Sequence, residues 1–148
     1  MISYKLQGFD ELRKKLLNLD RKVAKKIVKK AVRDAQKITL KVAKENAEII
    51  VGGEMGSKIS KALKILSKTK KGSYSSKVMI DPKKAEEFVY ITKDGTRYYI
   101  PTAIESGHKK VGGGTVQAIP FMRKAADLTE KEKKEKLEKD LKDGIEKA

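Results

Sequence analysis

The run Asp20-Arg21-Lys22-Val23-Ala24-Lys25-Lys26-Ile27-Val28-Lys29-Lys30-Ala31-Val32-Arg33-Asp34-Ala35-Gln36-Lys37-Ile38-Thr39-Leu40-Lys41-Val42 decides the fold of this chain. Within it and just beyond, Val23, Ile27, Ala31, Ala35, Ile38, Val42 and Ile49 recur at steps of three, four or seven. That spacing places them on one stripe of an amphipathic helix. Asp20 can accept a free amide of the opening turn, and Gly52-Gly53 closes the run. A helix over about 20–48 is predicted, roughly 40 Å long at ~1.5 Å per residue. Lys22, Lys25, Lys26, Lys29, Lys30, Arg33, Lys37, Lys41 and Lys44 take much of its remaining surface. A small sheet alone is too short to cover such a helix, so part of its face is expected to meet another subunit.

On the N-terminal side, Tyr4, Leu6 and Phe9 suggest a short extended lead-in. Asp10 can cap a first helix carrying Leu12, Leu16 and Leu19, and Asn18-Leu19-Asp20 forms a joint. On the C-terminal side, Ser57 can cap one short turn to Ala62. Leu63, Ile65 and Ser67 then alternate with Lys64, Leu66 and Lys68. With Lys70-Lys71-Gly72 as the turn and Ser73 to Ile80 as partner, this predicts a hairpin over 63–80. The competing pattern, Ile59, Leu63 and Leu66, would carry a helix on through Leu66. After the Asp81-Pro82 break, Phe88-Val89-Tyr90-Ile91 and Arg97-Tyr98-Tyr99-Ile100 flank Lys93-Asp94-Gly95-Thr96, a strong signal for a second hairpin over 88–100.

Pro101 can open a short helix from Thr102 to Glu105, closed at Gly107. A loop over 107–117 follows, with Gly112-Gly113-Gly114 inside it. Pro120 suits the first position of a last helix over about 120–147. Thr129-Glu130-Lys131-Glu132 matches a capping box, so that helix is expected to restart there. Leu137, Leu141 and Ile145 give it a thin apolar stripe. The expected fold is α+β: one domain, 1–148, with a small, mainly antiparallel sheet packed on the long N-terminal helix and a C-terminal helix beside it.

Composition narrows the chemistry. The 148 residues hold no cysteine and one histidine, His108. Thiolate ligation and multi-histidine zinc sites are therefore excluded. The Gly52-Gly53-Glu54-Met55-Gly56-Ser57-Lys58 run lacks the Gly-Lys-Ser/Thr ending of a phosphate loop. His108 has no triad partner visible in the sequence, and no serine sits in a Gly-x-Ser-x-Gly elbow. Neither an enzymatic activity nor a cofactor is expected. Met1-Ile2-Ser3-Tyr4-Lys5 has no apolar signal-peptide core and no run approaches a membrane span. The chain reads as soluble and cytosolic where it is made, with no membrane and no small-molecule substrate among its partners.

The formal charge is +16, unevenly spread. Thr129 to Ala148 holds seven lysines and seven acids, a net of zero. Phe9 to Asn46 holds thirteen Lys/Arg against five acids, a net of +8. Lys58 to Lys77 holds seven lysines and no acid. Such zones suit DNA, RNA or an acidic protein ring, although lysine outnumbers arginine, the better reader of bases. Lys22, Lys25, Lys29, Arg33, Lys58, Lys61, Lys64 and Lys68 mark the expected basic face. Tyr74, Tyr90, Tyr98 and Tyr99 are better read as sheet-face residues than as stacking platforms for single strands.

The remaining signature joins Ile104-Glu105-Ser106-Gly107 to Gln117-Ala118-Ile119-Pro120-Phe121-Met122-Arg123-Lys124-Ala125-Ala126-Asp127. It resembles the C-terminal pattern of the lambdoid gene-product-ten-like tail component family of tailed phages: an apolar–Glu–x–Gly turn, a variable loop, then Ala-x-Pro-Phe-apolar-Arg and an alanine-rich helix. Gly8-Phe9-Asp10-Glu11-Leu12 is similar to the family's opening Gly-apolar-x-x-Leu. Met55-Gly56-Ser57-Lys58-Ile59 lies where the family often has Thr-Gly-x-Leu, with Met55 in place of the threonine. His108 also stands where the family usually has threonine. The resemblance implies a phage or prophage structural protein of the head–tail junction, a neck or tail-completion part acting by protein–protein assembly in a ring. It would be made in the host cytoplasm and end in the virion. Its partners would be its own copies and neighbouring neck or tail proteins, with non-specific contact to packaged DNA open to it. Glu105, Gly107, His108, Pro120, Phe121 and Arg123 are the assembly-interface residues this implies. The alternative is a basic nucleic-acid-binding protein with non-specific DNA or RNA affinity.

Overall fold

The structure, a computed structural model, describes residues 10–70, 73–109 and 113–148. The Tyr4–Phe9 lead-in, the Lys71-Gly72 turn and Gly112 lie outside the described residues. Two helices open it, α1 (Asp10–Leu17) and α2 (Arg21–Asn46). Asp20 caps α2 as expected: its Oδ1 accepts the amides of Lys22 at 2.9 Å and Val23 at 3.4 Å. The helix runs into one π turn, Ala47–Val51. Gly52 then ends it at φ +70°, a backbone angle that suits glycine because no Cβ is present to clash.

Helix α3 is longer than expected, Gly53–Ala62 rather than one turn from Ser57. Its opening turn has no side-chain cap, and its first helical bond runs from the amide of Gly56 to the carbonyl of Gly52 at 2.9 Å. The helix stops at Ala62 and does not continue through Leu66. Strands β1 (Leu63–Lys70) and β2 (Ser73–Ile80) pair antiparallel with Leu63 opposite Ile80. Period-2 alternation brings Leu63, Ile65, Val78 and Ile80 to one face of this hairpin. Leu63 and Ile80 are buried there. A 3-10 turn, Pro82–Phe88, leads to β3 (Val89–Ile91) and β4 (Arg97–Tyr99), joined through Gly95 at φ +86°. Helix α4 (Ile100–Ser106), the short pair β5 (His108–Lys109) and β6 (Thr115–Val116), and α5 (Phe121–Lys147) complete the order. The class is α+β, its antiparallel sheet lying in three two-stranded pieces.

The most extensive packing in the molecule is between α2 and α5. They lie antiparallel. Asn46 meets Phe121, Thr39 meets Thr129, Gln36 meets Lys133, and Ile27 meets Gly144. From Ile27 to Asn46, α5 is the C-terminal helix expected beside the long one. One apolar cluster joins Ala43, Ala47, Ile59, Ala62, Leu63, Ile80, Phe88, Phe121 and Ala125. A second, at the other end of the helix pair, joins Leu12, Val28, Ala31, Val32, Ala35, Leu137 and Leu141. The thin stripe Leu137, Leu141, Ile145 is therefore where α1, α2 and α5 meet.

The capping box at Thr129 does not restart a helix. Helix α5 passes through it unbroken. Thr129 is buried; its hydroxyl lies 2.7 Å from the Ala125 carbonyl and 2.8 Å from Thr39 Oγ1. With its one proton on the Ala125 carbonyl, it accepts from Thr39. The residue that resembles a cap is a polar link between two helices.

Two glycines let backbones approach. A Cβ on Gly56 would overlap the carbonyl oxygen of Ala47, a fixed backbone atom. One on Gly144 would come within 2.7 Å of Ile27 Cγ2, the end of a movable side chain. Gly56→Ala is therefore expected to cost about 1–3 kcal/mol by overpacking, and Gly144→Ala clearly less. Chemical denaturation of both variants measures the difference; equal costs would mean that α3 and the π turn are free to separate.

Candidate assembly site

Helix α5 begins without a side-chain cap of its own. Pro120 at its N-cap position has φ −78° and no side-chain acceptor. The cap comes from α4. Glu105 Oε2 accepts the amide of Met122 at 3.0 Å and Oε1 accepts the amide of Arg123 at 3.0 Å. A carboxylate on two free amides at a helix N-terminus satisfies unpaired donors and meets the positive end of the helix dipole.

Gly107 makes the approach possible. Its φ is +76°. A Cβ there would lie 2.8 Å from the Val116 carbonyl oxygen and 3.0 Å from the Ala118 nitrogen. The two arms of the loop run against each other. Ile119 donates to the Ile104 carbonyl at 2.8 Å, and His108 pairs with Val116. Beyond the cap, Asn46 Nδ2 donates to the Phe121 carbonyl at 3.0 Å, tying the end of α2 to the start of α5.

The six signature residues thus come together, in two roles. Phe121 is 0% exposed and lies in the first cluster. Glu105 is half-buried and turned to the α5 amides. Apolar burial turns Phe121 inward, and hydrogen bonds hold the Glu105 carboxylate on the start of α5. Both residues and Gly107 shape the site, with Pro120 half-buried at the helix start. His108 and Arg123 are exposed and remain on the surface.

The expected basic face also divides. Lys58 Nζ donates to the Glu87 carbonyl at 2.8 Å and lies 5.0 Å from the Phe88 ring centre. Lys64 pairs with Asp81 at 3.5 Å. The amide of Lys83, more than that lysine, holds the Asp81 carboxyl below its ordinary value. Lys29 sits 5.8 Å from the Tyr74 ring centre. Lys22, Lys25, Arg33, Lys61 and Lys68 are exposed.

Sequence reasoning misses two features. A groove of about 310 Å³ between α2, β2 and α5 is lined by Gln36, Lys77, Val78, Met122, Arg123 and Lys133, among others. Lys133 donates to Gln36 Oε1 at 2.7 Å, and burial pushes its ammonium below the usual lysine range. Second, the β3–β4 hairpin leaves Tyr90, Ile91 and Tyr98 at 60%, 62% and 38% exposure. Phe88 and Tyr99 pack on the first cluster, but these three side chains stay exposed among the described residues. Their exposure, unlike their strand character, leaves no mark in local sequence.

No protein-family model, curated protein or solved structure matches the chain.

Three substitutions grade the site. Phe121→Ala is expected to cost about 3–5 kcal/mol, as for a fully buried aromatic. Glu105→Ala should cost about 0.5–2 kcal/mol, as for removal of a helix cap. Gly107→Ala should cost more than Glu105→Ala, because strain and overlap add. Urea unfolding midpoints check the order; Glu105→Ala as costly as Phe121→Ala would mean that the carboxylate does more than cap.

Proposed function

We propose that this chain is a structural protein of the head–tail junction of a tailed phage or prophage, a neck or tail-completion part that acts by protein–protein assembly in a ring. The reading rests on the signature from Ile104 to Asp127 and is supported by the way its residues act together. The observation that carries it is the Glu105 clamp on the Met122 and Arg123 amides. It fixes a loop bearing exposed His108 beside the start of α5, where exposed Arg123 stands. Next to that loop in sequence, through α4, comes the uncovered Tyr90, Ile91 and Tyr98 surface. Exposed apolar groups near a rigid, polar-rimmed turn are what an interface core and rim require. Rings use heterologous contacts, in which one patch meets a different patch on the next copy. The turn bearing His108, with the β3–β4 hairpin, is one patch of that kind. The second reading, a basic nucleic-acid-binding protein, draws on the charge of α2.

The joint variant Tyr90→Ser/Ile91→Ser tests the surface. Its fold stability is expected to stay within about 1 kcal/mol, since both side chains are exposed. Its self-association, followed by light scattering across concentration, and its support of head–tail joining after deletion of the chromosomal copy should both fall at least tenfold. Intact joining by the deletion strain itself would end the head–tail reading. Normal assembly by the double variant would reject this surface alone.

A further inference from the structure

Folding sorts the cations of α2. With the buried stripe turned to α5 and to the β1–β2 hairpin, Lys26, Lys30, Arg33, Lys37, Lys41 and Lys44 fall on one line of the helix, at steps of four, three, four, four and three. All but half-buried Lys44 are exposed. The line is about 27 Å long at ~1.5 Å per residue. No acid lies within it. Among the described residues, the ion pair on this face joins Lys37 to the flanking Asp34 at 3.1 Å.

Helix α5 shows that lysine abundance alone does not produce such a line. It is also lysine-rich, yet it interleaves acids and closes its own pairs, Lys136 with Asp140 and Lys142 with Glu138. Like charges three and four residues apart on a helix repel. The stripe on α2 is therefore a standing destabilisation that a polyanion relieves. A compact acidic patch would neutralise part of a line this long. The phosphate backbone of a duplex offers each strand's charge every ~3.4 Å of helix axis and can run beside the whole of it. The stripe has no aromatic residue to stack an unpaired base and a single arginine to read base edges.

We propose that the α2 stripe is a docking surface for the phosphate backbone of duplex DNA, bound without regard to sequence. It holds whether the chain is an assembly part or a free-standing DNA binder, so head–tail joining does not enter its test. The full chain is titrated with a labelled 30-base-pair duplex of arbitrary sequence across a series of salt concentrations, with a single strand of the same length and poly-glutamate as competitors. The variant Lys30→Gln/Arg33→Gln/Lys37→Gln is compared with Lys131→Gln/Lys134→Gln/Lys139→Gln on α5, which removes the same charge. The α2 variant is expected to bind at least about tenfold more weakly and to lower the slope of log K against log salt by roughly 2.7, at ~0.9 for each phosphate no longer neutralised. The α5 variant should bind like the parent.

Circular dichroism checks that the helices persist. Should the triple variant unfold, Lys30→Gln and Lys41→Gln are read singly, each expected to lower the slope by ~0.9. Equal weakening in both triple variants would reduce the effect to net charge and overturn the proposal. Unchanged binding by the α2 variant would do the same, as would displacement of the duplex by poly-glutamate or by the single strand at lower concentration than by unlabelled duplex.

Discussion

The need of α2 to bury one side along 26 residues governs this molecule. No single neighbour covers that side: a packed helix takes one flank and leaves the other. The β1–β2 hairpin covers one flank near Gln36, whose side chain donates to the Ser76 carbonyl at 3.0 Å. Helix α5 covers the other, from Asn46 back to Ile27. Burial on this scale is worth about 25 cal/mol per Å² of apolar surface. It explains why a helix as charged as α5 is held along its length: Phe121, Ala125, Thr129, Leu137 and Leu141 are each buried.

That arrangement sets a demand at one end. Helix α5 must start beside the close of α2, and its first amides would be left without partners there. Proline at the cap position brings no acceptor, so a carboxylate is brought across space from α4. The Glu105 position depends on Gly107, since only a backbone without a Cβ can turn at φ +76° against Val116 and Ala118. The signature is a structural unit first: cap, turn and buried ring secure one another. Its exposed members, His108 and Arg123, have their positions set by the inward-facing ones.

What was legible in the sequence was local. The Asp20 cap, the Gly52 stop and the Asp94-Gly95 turn rest on residues within a few positions of one another, and appear where expected. The α2 stripe is displaced: Ala31 and Ala35 are buried as expected, but Val23 and Ile49 are exposed, and Val28, Val32, Thr39 and Ala43 are buried instead. The Leu63–Ile80 hairpin was legible because alternation and a turn signal coincide. Distant partners were not. Thr129 matched a local capping pattern but answers to Thr39, 90 residues away. Glu105 stood out in the signature, but its donors lie 17 and 18 residues downstream. Gly56 gave no sign that the Ala47 carbonyl fills its missing side chain's place. That a sheet and a C-terminal helix would both lie against α2 was legible; which residues of α2 meet which of α5 was not.

Covering α2 on two flanks also determines where its charge can go. A helix with one buried side could spread its ten Lys and Arg over a wide arc. With α5 along one flank and the hairpin along the other, the arc narrows and the cations line up. The repulsion within that line opposes the helix, while the packing that creates the line sustains it. Helix α5, equally rich in lysine, meets no such conflict because its acids alternate with its bases. Two helices from one chain, bound to each other, thus differ in whether their charge is settled internally. The one left unsettled faces outward as a straight, rigid, aromatic-free row. Fold and charge pattern therefore point the same way: the packing that gives the molecule its stability leaves α2 with a surface whose charge is best satisfied by something outside the chain.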